Sequence, residues 1–146
     1  MITMKIFVCF LLLCMVLIIL TSCIREEFEW PKEGVWVSDN PAIVMNIPPE
    51  SEYQARAHGI FIKDGQEIET FISIRAPLNN TLSIFDVADL IPGGGLRGDN
   101  PFFSGRYTID GDRLYLQLHP RWQREHGIDV IVFTRIGDYE GASVEE

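Results

Sequence analysis

Gly105-Arg106-Tyr107-Thr108-Ile109-Asp110-Gly111-Asp112-Arg113-Leu114-Tyr115-Leu116-Gln117-Leu118 is the stretch that decides the fold. Leu114, Leu116 and Leu118 alternate with Tyr115 and Gln117, the period of two that sends every second side chain to one face of a strand. Asp110-Gly111 supplies the positive φ that a tight hairpin turn needs. The stretch reads as two antiparallel strands and a turn. A second stretch shares the grammar: Gly59-Ile60-Phe61-Ile62-Lys63-Asp64-Gly65, followed by Ile68, Thr70 and Ile72. The spacing matches position for position, with a glycine at the head of each unit, where a bulge or bend is expected. Many hairpins look like this, so the match reads as two ordinary hairpins rather than a duplicated module.

Working outward, further short apolar runs are bounded by Gly, Pro, Asn or Asp. They fall at 35–37 before Asp39-Asn40-Pro41, at 42–47 before Pro48-Pro49, at 53–62, at 67–74 before Pro77, at 81–87 and at 128–136. Nothing longer than about ten residues carries a 3.6-residue period. Residues 85–91 and 120–125 are each expected to form one or two helical turns. The pattern predicts an all-β domain of about eight strands, either a small antiparallel up-and-down barrel or a β-sandwich.

Gly34-Val35-Trp36 opens the first run, and Arg135 stands near the end of the last. This resembles the lipocalin and wider calycin pattern. The resemblance implies that Trp36 is buried and that Arg135 packs across its ring, tying first strand to last. A guanidinium over an indole is worth about 0.5–2 kcal/mol, and closure removes the exposed strand edges. The Thr-Asp-Tyr motif of the larger lipocalins is absent, and 34–136 is short for the full fold, so a barrel on this pattern is small or flattened.

The N-terminus has a different grammar. Lys5 is followed by fifteen consecutive Ile, Leu, Val, Phe, Met or Cys residues at 6–20, then by Thr21-Ser22-Cys23 and Arg25. A basic start, an apolar core and small residues before a cut describe a secretory signal. Leu20-Thr21-Ser22-Cys23 resembles the lipobox of bacterial lipoproteins. That resemblance implies a diacylglyceryl group on the Cys23 thiol and cleavage just before it. Two acyl chains suffice for stable anchoring, at about 0.8 kcal/mol per buried methylene. The competing reading is an uncleaved anchor over 6–24, just long enough to span a bilayer. Either reading places the remainder outside the cytoplasm and tethered to a membrane, which is the outer membrane if the host has one. The resulting organisation is a signal at 1–22, a lipidated N-terminus and tether at 23–33, a β domain at 34–137 and an acidic flexible tail at 138–146.

Charge and cysteine usage narrow the function. Lys and Arg number 12 against 21 Asp and Glu, a formal −9. Such acidity excludes a phosphate-gripping nucleic-acid face and a polybasic lipid patch. The only cysteines are Cys9, Cys14 and Cys23. On the lipobox reading none is left for a disulfide, a thiolate metal site or a nucleophile.

Candidate chemistry is sparse. His58, His119 and His126 lack the i, i+3 or i+4 spacing of a helical metal pair. Ordinary surface histidines are favoured over a metal site with Glu125 or Asp129. Residues 92–98 are glycine-rich, but Asp99 and Asn100 stand where a phosphate loop needs Lys and Ser/Thr. No serine sits in Gly-x-Ser-x-Gly. No catalytic residue, cofactor or metal is assigned, and the chain is not read as an enzyme. The loop 87–103 carries Leu90, Ile91, Leu96, Phe102 and Phe103. It reads either as a flap over a barrel mouth or as packed core. Trp122, between Arg121 and Arg124, reads as a plug at one end of the sheet in preference to a contact with a membrane surface, a glycan or a partner. The functional expectation is a membrane-anchored extracytoplasmic module binding a small apolar ligand, a glycan or a protein. The alternative is an envelope interaction protein or enzyme inhibitor with no small-molecule pocket.

Overall fold

Alternation along eight strands sends one row of side chains to a common interior, and the strands close on themselves to seal it. The computed structural model describes residues 29–52, 57–75, 80–93, 95–97 and 100–141, together with Met15. The strands are β1 (Gly34–Asp39), β2 (Ala42–Ile47), β3 (His58–Lys63), β4 (Gln66–Arg75), β5 (Thr81–Asp86), β6 (Leu90–Ile91), β7 (Gly95–Leu96), β8 (Phe103–Asp110), β9 (Arg113–Leu118) and β10 (Val130–Gly137). One helix, α1 (Pro120–His126), connects β9 to β10. β1 to β5 and β8 to β10 form a closed antiparallel barrel in which every strand pairs with its neighbour in sequence and β10 returns to β1. The small β6–β7 hairpin is inserted between β5 and β8.

The barrel is filled. Leu114, Leu116 and Leu118 point inward as the period of two requires, and none is more than 1% exposed. Trp36, Met45, Ile72, Ile84, Tyr107 and Phe133 meet them in one core. Burying each large apolar side chain contributes about 1.5–3 kcal/mol.

The two Asp-Gly hairpins are closed differently. Lys63 pairs with Gln66, so Asp64 and Gly65 form the loop, with φ of 53° and 76°. Both central residues are left-handed, as a type I′ turn demands. Asp110 pairs with Arg113, so the loop is Gly111-Asp112 and only Gly111 has a positive φ, 59°. The same dipeptide at the same spacing therefore sits one residue out of step.

Three local features refine the sequence reading. Residues 85–91 hold one helical turn, not two: β5 continues to Asp86, a 3-10 turn covers Val87–Asp89, and β6 follows. Asp86 caps that turn by accepting from the Ala88 amide at 2.8 Å. Residues 29–33 are not a free spacer, because side chains of the barrel hold their carbonyls. The start of the tail is held too: Asn46 Nδ2 donates to the Glu140 carbonyl at 2.8 Å, and the Glu140 amide donates to Asn46 Oδ1 at 3.3 Å. Residues 142–146 lie outside the described residues.

Candidate functional site

One end of the barrel is closed by chain 29–33. Trp36 is completely buried, and its Nε1 donates to the Lys32 carbonyl at 2.9 Å. The Tyr107 hydroxyl donates to the Glu29 carbonyl at 2.8 Å. Arg135 pairs with Trp36 on the β1–β10 ladder, so both side chains share the inner face. Its Nε donates to the Glu33 carbonyl at 2.8 Å, and its Nη2 meets Asp138 Oδ1 at 2.9 Å. The guanidinium thus spends these donors on main chain and a carboxylate. The cation–π contact among the described residues is elsewhere, between Arg121 and Trp122 at 5.2 Å. Gly34 makes this closure sterically feasible. Its φ is 137°, and a Cβ there would lie 2.3 Å from the Gly137 carbonyl and 2.7 Å from Arg135 Nε. The glycine of Gly34-Val35-Trp36 is therefore explained by left-handed backbone and by the space the arginine occupies.

The other end is closed by apolar packing. The Phe61 ring stands 5.2 Å from that of Phe102 and 5.3 Å from that of Phe103. Phe103 in turn lies 4.7 Å from the His126 ring. Trp122 packs on the core from α1, with Nε1 donating to the Pro101 carbonyl at 3.1 Å. Pro120 at the first turn and left-handed Gly127 after the last explain the bounds of α1.

The candidate flap residues do not assemble into one lid. Phe103 begins β8 and is buried, while Phe102 packs on the core. Leu90 is half-buried and Ile91 is 41% exposed. Leu96 pairs with Leu90 in the β6–β7 hairpin, and its side chain lies outside the described residues. Cys23 and the lipobox also lie outside them. The histidines are engaged separately: His119 stacks 6.1 Å from Trp122, and His126 Nε2 is 3.0 Å from the Phe102 carbonyl. Among the described residues no group of three or more His, Cys, Asp or Glu could hold a metal ion.

The outside of the barrel carries a feature that the strand pattern did not lead us to expect. Val44 pairs with Val37 on one side and with Ile60 on the other, and all three face outward. Ile60 and Ile62 on β3, and Val130 and Val132 on β10, are each 37–42% exposed. Ile136 is 64% exposed, because it is the extra residue of a bulge: Val35 pairs with Gly137 and Trp36 with Arg135. Where the tail crosses this wall, Val35, Val44, Asn46, His58, Ile60 and Glu140 line a groove of about 210 Å³. The sequence signal was present. Val35-Trp36-Val37, Ile60-Phe61-Ile62 and Val130-Ile131-Val132-Phe133 are continuous apolar runs, which read as apolar on both faces of a strand.

No protein-family model matches the chain, and neither a curated protein nor a solved structure shows significant similarity to it. Among the described residues no helix is long and apolar enough to cross a membrane.

Proposed function

We propose that the chain is a lipid-anchored interaction protein of a bacterial envelope. Cys23 is its anchor, and a protein partner rather than a small molecule is its ligand. The observation that carries the second part is the filled interior. A small-molecule site needs an open cavity with apolar walls and a few convergent polar groups. Here the interior is occupied by Trp36, Tyr107, Phe103 and Phe133, all at most 1% exposed. Of the five residues read as either flap or core, Phe102 and Phe103 pack with the core. An exposed apolar wall is the usual mark of an interaction surface.

The anchor and the barrel geometry together orient the domain. The Tyr107 hydroxyl holds the Glu29 carbonyl at one barrel end. Six residue steps separate Cys23 from Glu29, at most about 20 Å of extended chain. A lipid on Cys23 therefore keeps that end close to the bilayer and directs α1 away from it. No catalytic role is part of this reading.

Two measurements test it. Cells given labelled fatty acid should label the wild-type chain, while Cys23→Ala should remain an unlabelled precursor of higher mass; normal labelling of the variant rejects the anchor. Native mass spectrometry of the chain, extracted gently from its own membranes, should find no stoichiometric small molecule. A small mass that leaves on denaturation would replace the partner reading with a pocket.

A further inference from the structure

We infer that the groove between β3 and the C-terminal tail is the docking site, and that its occupant is an extended, cationic segment of a partner protein carrying apolar side chains. The inference rests on the partner-binding reading above and gives it a face and a chemistry. Three observations carry it.

The first is size. At about 210 Å³ the groove is smaller than the roughly 300–1,000 Å³ of drug-sized ligand sites, and it suits one or two aliphatic side chains. The second is that main chain already lies on this surface. The Asn46 amide makes a two-way pair with the N–H and C=O of Glu140, an arrangement that an extended segment on the sheet surface can meet. The third is charge. On β1, β2 and β3 the Asp, Glu, Lys and Arg side chains are Asp39 and Lys63 alone, each at a strand end, and His58 lines the groove beside Glu140. The flanks of the groove are acidic: Glu140 lines it, and Glu69 stands opposite Ile60 on β4. An apolar floor with carboxylate rims selects aliphatic side chains flanked by Lys or Arg, and it disfavours a second copy of this acidic chain.

The test uses the full chain in mild detergent and a fluorescent hexapeptide of alternating Val and Lys, with an alternating Val and Glu peptide as its counterpart. Fluorescence anisotropy should show saturable binding of the cationic peptide only, weakened by added salt. Ile60→Asn leaves the charge unchanged and should weaken binding about tenfold or more. Val44→Asn is a second variant should the first misfold, with circular dichroism checking the fold of both. Equal binding by the anionic peptide, unchanged affinity in folded variants, or no binding overturns the proposal. Concentration-dependent self-association abolished by Ile60→Asn overturns it too, by placing a second copy in the groove. The partner reading itself fails separately, through a small molecule in the native mass spectrum.

Discussion

The two ends of the barrel are sealed by different physics. At the end nearest the N-terminus, three side chains from three strands reach out to the carbonyls of one segment: Tyr107 to Glu29, Trp36 to Lys32 and Arg135 to Glu33. At the far end Phe61, Phe102 and Phe103 interlock under Trp122. The first seal is directional, made of single hydrogen bonds each worth about 0.5–1.5 kcal/mol net, somewhat more from a charged donor. The second is non-directional and scales with buried area. The segment 29–33 is thus held at three defined points, while the stability of the barrel resides in the packed core.

The largest expected effect comes from breaking the apolar seal. Phe103→Ala removes a ring that is 1% exposed and leaves a cavity in a filled interior. Such a truncation costs about 3–5 kcal/mol, which a urea titration followed by tryptophan fluorescence would measure. The carbonyl carbon chemical shifts of Glu29, Lys32 and Glu33 should keep their folded values, since the side chains that donate to them are untouched. Their collapse to unfolded values in a variant that is otherwise folded would show that the seals are not separate.

Much of this architecture is legible in the sequence, and the parts that are not share a cause. All eight barrel strands are readable because alternation and turn residues are local signals. Trp122 is noticeable from its place between Arg121 and Arg124, but only its packing against the core separates a plug from an outward contact. The turn register is not, since Asp-Gly suits both a loop of Asp64-Gly65 and a loop of Gly111-Asp112. The hydrogen-bonded seal is invisible for a stronger reason: Tyr107 and Glu29 are 78 residues apart, and Arg135 and Glu33 are 102 apart. No periodicity links such positions. The Asn46–Glu140 clasp spans 94 residues and was hidden in the same way. The outer groove depends on that clasp, so its apolar strands could be read from their runs but its wall could not.

An intermediate effect is expected at the hydrogen-bonded seal. Arg135→Gln removes the Nε donor to the Glu33 carbonyl and the contact with Asp138. The arginine side chain is only 14% exposed, while that of Asp138 is 98% exposed. The bond to main chain therefore dominates, and the ion pair contributes little. A loss of about 1.5–3 kcal/mol is expected, and Asp138→Asn should leave the unfolding midpoint unchanged. The carbonyl carbon shift of Glu33 should move in Arg135→Gln, while the backbone shifts of β8 and β9 stay in place. If Asp138→Asn destabilises as much as Arg135→Gln, the seal is ionic rather than a main-chain clasp.

The smallest effect has the opposite sign and probes what lies between the two ends. Thr70 is completely buried on the inner face of β4, and its Oγ1 has no hydrogen-bond partner among the described residues. It is crowded as well, since a Cβ on Gly59 would sit 2.8 Å from that oxygen. A buried hydroxyl without a partner costs about 1–3 kcal/mol of desolvation, and an apolar group of the same shape removes that cost. Thr70→Val should therefore raise the unfolding free energy, by about 1 kcal/mol. The sign matters more than the size. A gain means that the interior is dry and complete, with both seals closing over packed side chains alone. A loss means that the hydroxyl bonds a water or ligand group inside the barrel, or that it fits beside Gly59 where a methyl does not, and a structure of the variant tells the two apart.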